Sequence, residues 1–343
     1  MRPFGPDART LPPVFGALAG CRDGWAAESL RGGYCRAVDT LPTPISVGIR
    51  FTHATIQVLA EANGIDLLHI KGPAVDDRLL AVLPTDDPPS GAPGTVARYS
   101  VDADVLVRPA HVDRLFEVMH GHGWTTAYHF ADGSAFEHAA TLTHPVLPQA
   151  DVHRRFPGIG VDAATAFERL WAERHTALIA GTPCPVPSLT AQRLVLIVHA
   201  ARGGALYHSD IQRSWAVATE EERAALQHLA DELGAEVALA AGTGRLEEYR
   251  GAPGYELWRA LSTREQSPVR IWVARVRSEP TLAGALRTAI RLILPNPRRM
   301  HTTLGRRPTA REMARAYGQR ARWGLGEVAE LVRSTSPGPR GRR

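Results

Sequence analysis

Lysine is almost missing from this 343-residue chain: Lys71 is the only one among 40 basic residues. Arginine supplies the other positive charges, so the lysine kept at this one position draws attention. Cysteine is scarce too. Cys21, Cys35 and Cys184 lie far apart, with no CxxC pair and an odd count. That argues against a disulfide framework or a cysteine zinc site, and makes a reducing cytoplasm the expected compartment. No apolar run approaches the roughly 20 residues of a membrane span. The opening MRPFGPDART does not read as a signal peptide. Also missing are the GxxxxGK[ST] phosphate loop, a GxGxxG opening a helix, the GxSxG elbow and HExxH.

What is present describes a globular chain. Hydrophobic residues make up 44% and charged residues 22%, which excludes wholesale disorder. At roughly 150 residues per domain, the length suggests two domains, or one with a large appendage. The charge is uneven. From Arg264 to the end there are 18 Arg against 5 Glu, on a chain whose formal net charge is +5. A basic C-terminal region therefore follows an acidic body.

Residues 1–43 show no clear period and read as a loosely helical preface. Apolar spacing predicts a helix over 45–62, which Asn63-Gly64 ends. IDLLHI (65–70) suits a buried strand. Lys71-Gly72-Pro73 then turns the chain, with Pro73 in the first turn of a helix over AVDDRLLAVL. Residues 84–97, rich in Pro and Gly, read as an exposed loop, either a lid or a tolerated insertion. SVDADVLVRP alternates from Val101 to Val107 like a half-buried strand, and Pro109 ends it. A helix over AHVDRLFEVMHGHGW follows, then β-like runs at 125–130, 139–143 and 146–153. FERLWAERH reads as helical. Ser188 is a candidate N-cap, and helical patterns dominate to about Arg333. The expected organisation is an α/β domain over 44–185, a helical domain over 186–333, and a disordered tail over 334–343.

One constellation points to chemistry. Asp102 and Asp104 stand one residue apart on a predicted strand, so the two-residue period puts both carboxylates on one face. Adjacent carboxylates repel unless a cation compensates, and magnesium takes one or two carboxylates plus substrate phosphates. Asp151 lies in another predicted strand about fifty residues later. Three carboxylates converging from neighbouring strands suit a two-metal phosphoryl-transfer site. A DxD alone has a bland reading as well, two solvent-facing aspartates on an edge strand. His120 and His122 fall at a helix end and read as dipole partners rather than metal ligands.

The order of these features, with His69-Ile70-Lys71-Gly72, Arg98, Asp102-Ala103-Asp104-Val105-Leu106-Val107 and Asp151-Val152-His153-Arg154, resembles the nucleotidyltransferases of the DNA polymerase β-like superfamily. More narrowly it is similar to the uncharacterised nucleotidyltransferases often encoded in bacterial biosynthetic clusters. The helix Leu194–Arg202 with Asp210, and the segment Leu292–Pro297, also resemble that group. The resemblance covers about residues 45–335. It implies an α+β fold, with a small mixed sheet flanked by helices and a helical domain after it.

The resemblance also implies an activity. A nucleoside monophosphate would pass from an NTP, ATP being the expected one, to a small-molecule, peptide or protein acceptor. Mg2+ (or Mn2+) would be the cofactor. Asp102, Asp104 and Asp151 would be the catalytic metal ligands, with Asp151 helping to deprotonate the acceptor hydroxyl. Lys71, Gly72 and Arg98 would meet the nucleotide phosphates, and His153 and Asp210 are possible substrate contacts. Where the wider superfamily has Gly-Ser, this chain has Gly72-Pro73, so a hydroxyl and an N–H are lost. Kinase-like phosphoryl transfer and a non-catalytic accessory role, binding a nucleotide or a peptide precursor, are the alternatives. Arg154-Arg155 suits an anionic acceptor, though arginine is common throughout. The basic C-terminal region has three readings: nucleic-acid binding, weak association with an anionic membrane, or an apolar face packed on the acidic body. The last is favoured, and a nucleic-acid partner is not expected, because aromatics are few there.

Overall fold

A computed structural model describes residues 44–343, except 81–82, 85–94, 97–99, 134–135, 204–208, 264–267, 280, 298–299, 301–303, 305 and 336–343. Residues 45–343 form one compact unit. Helix α1 (Ile45–Ala62) buries Ile49, Ile56 and Ala60 along one face. Strand β1 (Leu67–His69) follows, then a turn of 3-10 helix over Gly72–Ala74 and a single helical turn over Asp77–Leu80. The longer helix expected over AVDDRLLAVL is thus broken into two short turns. Between them Val75 takes an extended conformation and caps the 3-10 turn.

The expected loop over 84–97 carries some regular structure. Leu83–Pro84 (β2) and Thr95–Val96 (β3) pair antiparallel; the residues between them lie outside the described set. The main sheet has five strands in the order β1-β4-β7-β6-β5. Its members are β4 (Ala103–Val107), β5 (Thr125–Tyr128), β6 (Ala139–Thr143) and β7 (Ala150–His153). The β4–β7 pair is parallel and the others antiparallel. Helix α2 (Val112–Gly121) links β4 to β5, and α3 (Ala163–Ala172) precedes the β8–β9 hairpin (His175–Ile179, Thr182–Val186).

The expectation of a half-buried strand at 101–107 is corrected. All five residues of β4 are buried, because the sheet is covered on both faces. Val105 and Val107 join Ile49, Ile56, Leu115 and Met119 on one side. Leu106 and Leu68 join a larger cluster on the other. That second cluster is built by α4 (Leu189–Arg202), α5 (Glu220–Glu232), α6 (Glu236–Gly242) and α7 (Tyr255–Ser262). The fold is the α+β arrangement that the resemblance implies, a small mixed sheet flanked by helices with a helical region following.

The basic region forms α8 (Pro268–Arg277), α9 (Leu282–Ile293) and α10 (Ala310–Thr335). Helix α8 sets Ala274 in the large cluster, with Ile271 against it. Helix α9 departs from the expectation. Its apolar row, four residues apart, faces solvent: Leu282 is 91% exposed and Leu286 63%. The stripe is spaced for a helix face, but that face does not lie on the body.

Candidate functional site

Period-two alternation decides which side chains of the central strands meet. On β4, Val105 and Val107 point to the smaller cluster, so Asp104 and Leu106 point to the other face. On β7, Ala150 and Val152 belong to the smaller cluster, so Asp151 and His153 share Asp104's face. The parallel register sets Asp104 directly beside Asp151. Ligand atoms of Asp104, Asp151 and His153 all lie within 4.8 Å of one another. Asp102 sits in the bend just before β4, where Ser100 Oγ donates to its backbone carbonyl at 2.9 Å.

Asp104 is the electrostatic centre of the group. Lys71 Nζ lies 2.7 Å from Asp104 Oδ1, with the two side chains 10% and 2% exposed. His153 Nε2 lies 2.8 Å from the same oxygen. Burial alone pushes the Asp104 carboxyl upward, but the Lys71 ammonium and the His153 N–H outweigh it and hold it well below the usual carboxylate range. Asp102 goes the other way. Burial, then the charges of Asp104 and Asp151, raise it to about 6 despite Lys71. The crowding expected of three neighbouring aspartates therefore falls on Asp102. Thr141, paired with Asp151 across β6–β7, donates its hydroxyl to Asp151 Oδ1 at 2.7 Å.

A cation fits this donor set. Asp104 and Asp151 supply hard carboxylate oxygens, as Mg2+ and Mn2+ require, and the His153 Nε2–H orients the Asp104 carboxylate. The ammonium on Asp104 shows that a positive charge is already accommodated there.

The turn after β1 brings in Lys71 and Gly72. Gly72 has φ +60°, a conformation that side-chain-bearing residues rarely take. A Cβ there would stand 3.2 Å from Ser100 Oγ and 3.6 Å from His53 Nε2. Lys71 is not the exposed residue that a turn suggests; it is buried against Asp104. Arg98 lies outside the described residues. Asp210 is buried on the single turn Ser209–Ile211, so it is not a helix-surface aspartate. His120 Nε2 bonds to Thr126 Oγ1 at 2.9 Å, and His122 Nδ1 donates to the Val118 carbonyl at 2.7 Å. Both belong to the end of α2. Cys184 is buried, and burial with the nearby Glu61 pushes its thiol up to about 12.

His53 escaped the sequence reading, and so did the role of His69, named there only as part of the strand-end motif. Gln57 Nε2 donates to Glu61 Oε1 at 2.8 Å, so Gln57 Oε1 accepts from His69 Nε2 at 2.9 Å. His69 Nδ1 is then the acceptor in its 2.7 Å bond with His53 Nδ1. His53 is left with a lone pair on Nε2, buried beside Gly72 with no hydrogen-bond partner. Burial keeps both rings neutral: His53 falls to about 4, and His69 lies well below its ordinary value. Thr52, His53 and Gln57 on the buried face of α1 were the available signal, since polar residues on a buried face need partners.

Comparison with known proteins adds a family. A solved structure of a lincosamide antibiotic adenylyltransferase, LnuA, with lincomycin bound, is similar over 53% of this chain and 94% of that one. The two are 16% identical, with a TM-score of 0.28, and that likeness carries no argument here. No curated protein matches the sequence. The family described as uncharacterised nucleotidyltransferase matches residues 48–251, a span that holds β1, the Lys-Gly turn, the DxD strand and Asp151. More than half of the chain is covered, and the chain belongs to this nucleotidyltransferase family.

Proposed function

We propose that the protein transfers a nucleoside monophosphate from an NTP, with ATP as the first choice, to a small-molecule, peptide or protein acceptor. Asp102, Asp104 and Asp151 would hold the divalent cation, Mg2+ or Mn2+. The observation that carries this reading is the meeting of Asp104 and Asp151 with His153 at the sheet centre beside the lysine–glycine turn; Asp102 lies in the bend before β4 and is included on the resemblance. When bound, the cation would polarise the transferred phosphoryl group and stabilise charge on the leaving pyrophosphate.

The chain's own side chains do the rest. Lys71, paired with Asp104 here, would turn to the nucleotide phosphates as a point charge when a cation takes its place on that carboxylate. Gly72 keeps the turn free of a side chain, so that backbone and phosphate approach closely. Arg98 is assigned a phosphate oxygen by the resemblance alone. Asp151, held by the Thr141 hydroxyl, takes the acceptor's proton as the acceptor oxygen attacks the α-phosphorus. The bond from that phosphorus to the bridging oxygen of the β-phosphate breaks, and pyrophosphate leaves. His153 is a positioning residue: its N–H fixes the Asp104 carboxylate. A cytoplasmic location accords with the absence, among the described residues, of any helix long and apolar enough to cross a membrane.

Incubation with Mg2+ and ATP labelled at the α- or γ-phosphate, in a suitable extract, tests the reading. Transfer of the α label with release of pyrophosphate supports it. Transfer of the γ label replaces it by phosphoryl transfer. Bound nucleotide without transfer leaves an accessory binding role, and neither binding nor transfer refutes it.

A further inference from the structure

Helix α9 is fastened at both ends and along one side, and its apolar row lies on the side left over. The Thr281 hydroxyl caps its first turn, accepting from Gly284 N at 3.0 Å. Thr288 Oγ1 donates to Glu279 Oε1 at 3.0 Å. Past its end, Asn296 Nδ2 donates to Asp132 Oδ1 at 2.5 Å, on the single turn Phe130–Gly133. The helix packs on α8, and Ala285, Thr288 and Ala289 make its half-buried side. Leu282, Leu286 and Ile290, four residues apart, are all exposed, and Leu294 just beyond the helix continues the row. At 1.5 Å per residue the row is about 18 Å long. The body thus presents a ridge of large apolar side chains to solvent, which a single scattered leucine would not do.

The charge around this ridge has one sign. Between Glu279 and Glu312 the chain has seven arginines and no acidic residue. The two bounding glutamates are themselves paired, Glu279 with Arg275 at 3.0 Å and Glu312 with Arg306 at 2.7 Å. Arg287, exposed, and Arg291 follow Leu286 and Ile290 by one position. At 3.6 residues per turn that step places them at the border of the row.

A helix of this kind, apolar along one side and basic at its border, suits the surface of an anionic bilayer. The leucines enter the boundary between headgroups and acyl chains, and the guanidiniums meet lipid phosphates. About 18 Å is short of the roughly 30 Å hydrocarbon core, so such a helix lies in the plane of the surface and does not cross it. A nucleic acid would offer phosphates to the arginines but nothing to the leucines. Two copies meeting row to row would bring two basic segments together, and like charges repel. We infer that this face of α9 docks the protein on an anionic lipid surface. The inference does not rest on the transfer reading and needs no catalysis to be tested.

The full chain is mixed with vesicles of phosphatidylcholine alone, or of phosphatidylcholine with phosphatidylglycerol, and binding is followed by flotation. The parent should bind the anionic vesicles at least about tenfold more tightly than the neutral ones. Leu286→Glu should weaken that binding by at least about tenfold. Leu178→Ser, which alters an exposed leucine on β8, should leave it unchanged. Both variants should melt within about 2 °C of the parent, because exposed positions contribute little to stability. If Leu286→Glu melts lower than that, Leu282→Ser, at the most exposed position of the row, replaces it: weakened binding supports the docking face and unchanged binding overturns it. Absent binding, or equal binding to the two kinds of vesicle, overturns the inference. So does anionic binding that Leu286→Glu leaves intact, since the arginines would then act without the row. A concentration-dependent dimer in sedimentation velocity, lost in Leu286→Glu and accompanied by no vesicle binding, gives the face to a second copy and also overturns it.

Discussion

Replacing Lys71 by methionine tests whether the lysine is a free phosphate ligand or one half of a buried pair. Its side chain is 10% exposed and its ammonium stands 2.7 Å from Asp104 Oδ1. Methionine keeps the packing and removes the charge, leaving Asp104 with the His153 N–H alone. Removing one partner of a buried ion pair costs about 3–5 kcal/mol, because the other charge stays buried without compensation. At roughly 2 °C per kcal/mol for a domain of this class, the melting temperature should fall by about 6–10 °C. Asp104→Asn strands the ammonium instead and should cost a similar amount. The double variant should lose less than the two single losses added together, since neither charge is then left alone.

The loss should also depend on conditions. Asp104 has a depressed folded-state pKa, so the stability it contributes is present above the unfolded carboxylate pKa and fades as pH falls. The gap between parent and Lys71→Met should therefore narrow below about pH 4. Added Mg2+ should narrow it too at neutral pH, because a divalent cation on Asp104 replaces the missing positive charge. Thermal and urea melts of the four proteins, with and without Mg2+, measure all of this. A Lys71→Met protein melting within 1 °C of the parent at neutral pH, on the precision of ~1 kcal/mol or less expected of an exposed pair, would refute the buried-pair argument.

Other outcomes follow from the same geometry. Asp102→Asn removes a carboxyl already raised to about 6 by burial and by Asp104 and Asp151; transfer of the α label should be lost while the melting temperature holds or rises, and a fall of several degrees would make Asp102 structural. His53 is lowered to about 4 in the folded chain, so between its ordinary pKa and 4 the unfolded chain binds the extra proton. Stability should fall as pH drops through that window, by about 2 kcal/mol for His53 between pH 7 and 5. Urea midpoints at the two pH values read this, and a parent whose loss equals that of His53→Asn would contradict it. Gly158 has φ +100°, and a Cβ there would stand 2.5 Å from Val198 Cγ1 and 2.9 Å from Trp258 Cζ2. Gly158→Ala should cost about 1–3 kcal/mol from overpacking alone, and an unchanged denaturation midpoint would show that the contact yields.

Asp104 and Asp151 were legible because their meeting depends on simple periodicities. The two-residue period sets Asp104 on one face of its strand, and Asp151 needed only to occupy the matching face of a neighbour, whereas Asp102 falls in the bend before β4 and does not share the strand as expected. The parallel register of β4 and β7 supplies that. The burial of β4 was not legible, since alternation on a strand does not show whether the polar positions face water or one another. Here the interruption in the apolar pattern is Asp104 itself, and it faces Lys71 and His153 rather than solvent.

The remaining misses share one cause: partner choice between distant segments. Lys71 pairs with Asp104 because β1 lies antiparallel on β4, with His69 opposite Val105. That register sets Ile70 opposite Asp104, with Ile70 N donating to the Asp104 carbonyl at 3.2 Å, and the turn that begins at Gly72 then brings the lysine to the carboxylate. His53 and His69 meet because α1 covers the same strand, which no local period announces. Helix α9 makes the converse point. Its residues at 282, 286 and 290 have the spacing of a buried stripe, yet they are exposed. Periodicity fixes that apolar groups share a face; the neighbours decide whether that face is covered. The functional site is therefore read most securely where periodicity and register both act on the same residues, as they do at Asp104 and Asp151. It is read least securely at Lys71, where the contact depends on the turn that follows β1 as well as on register.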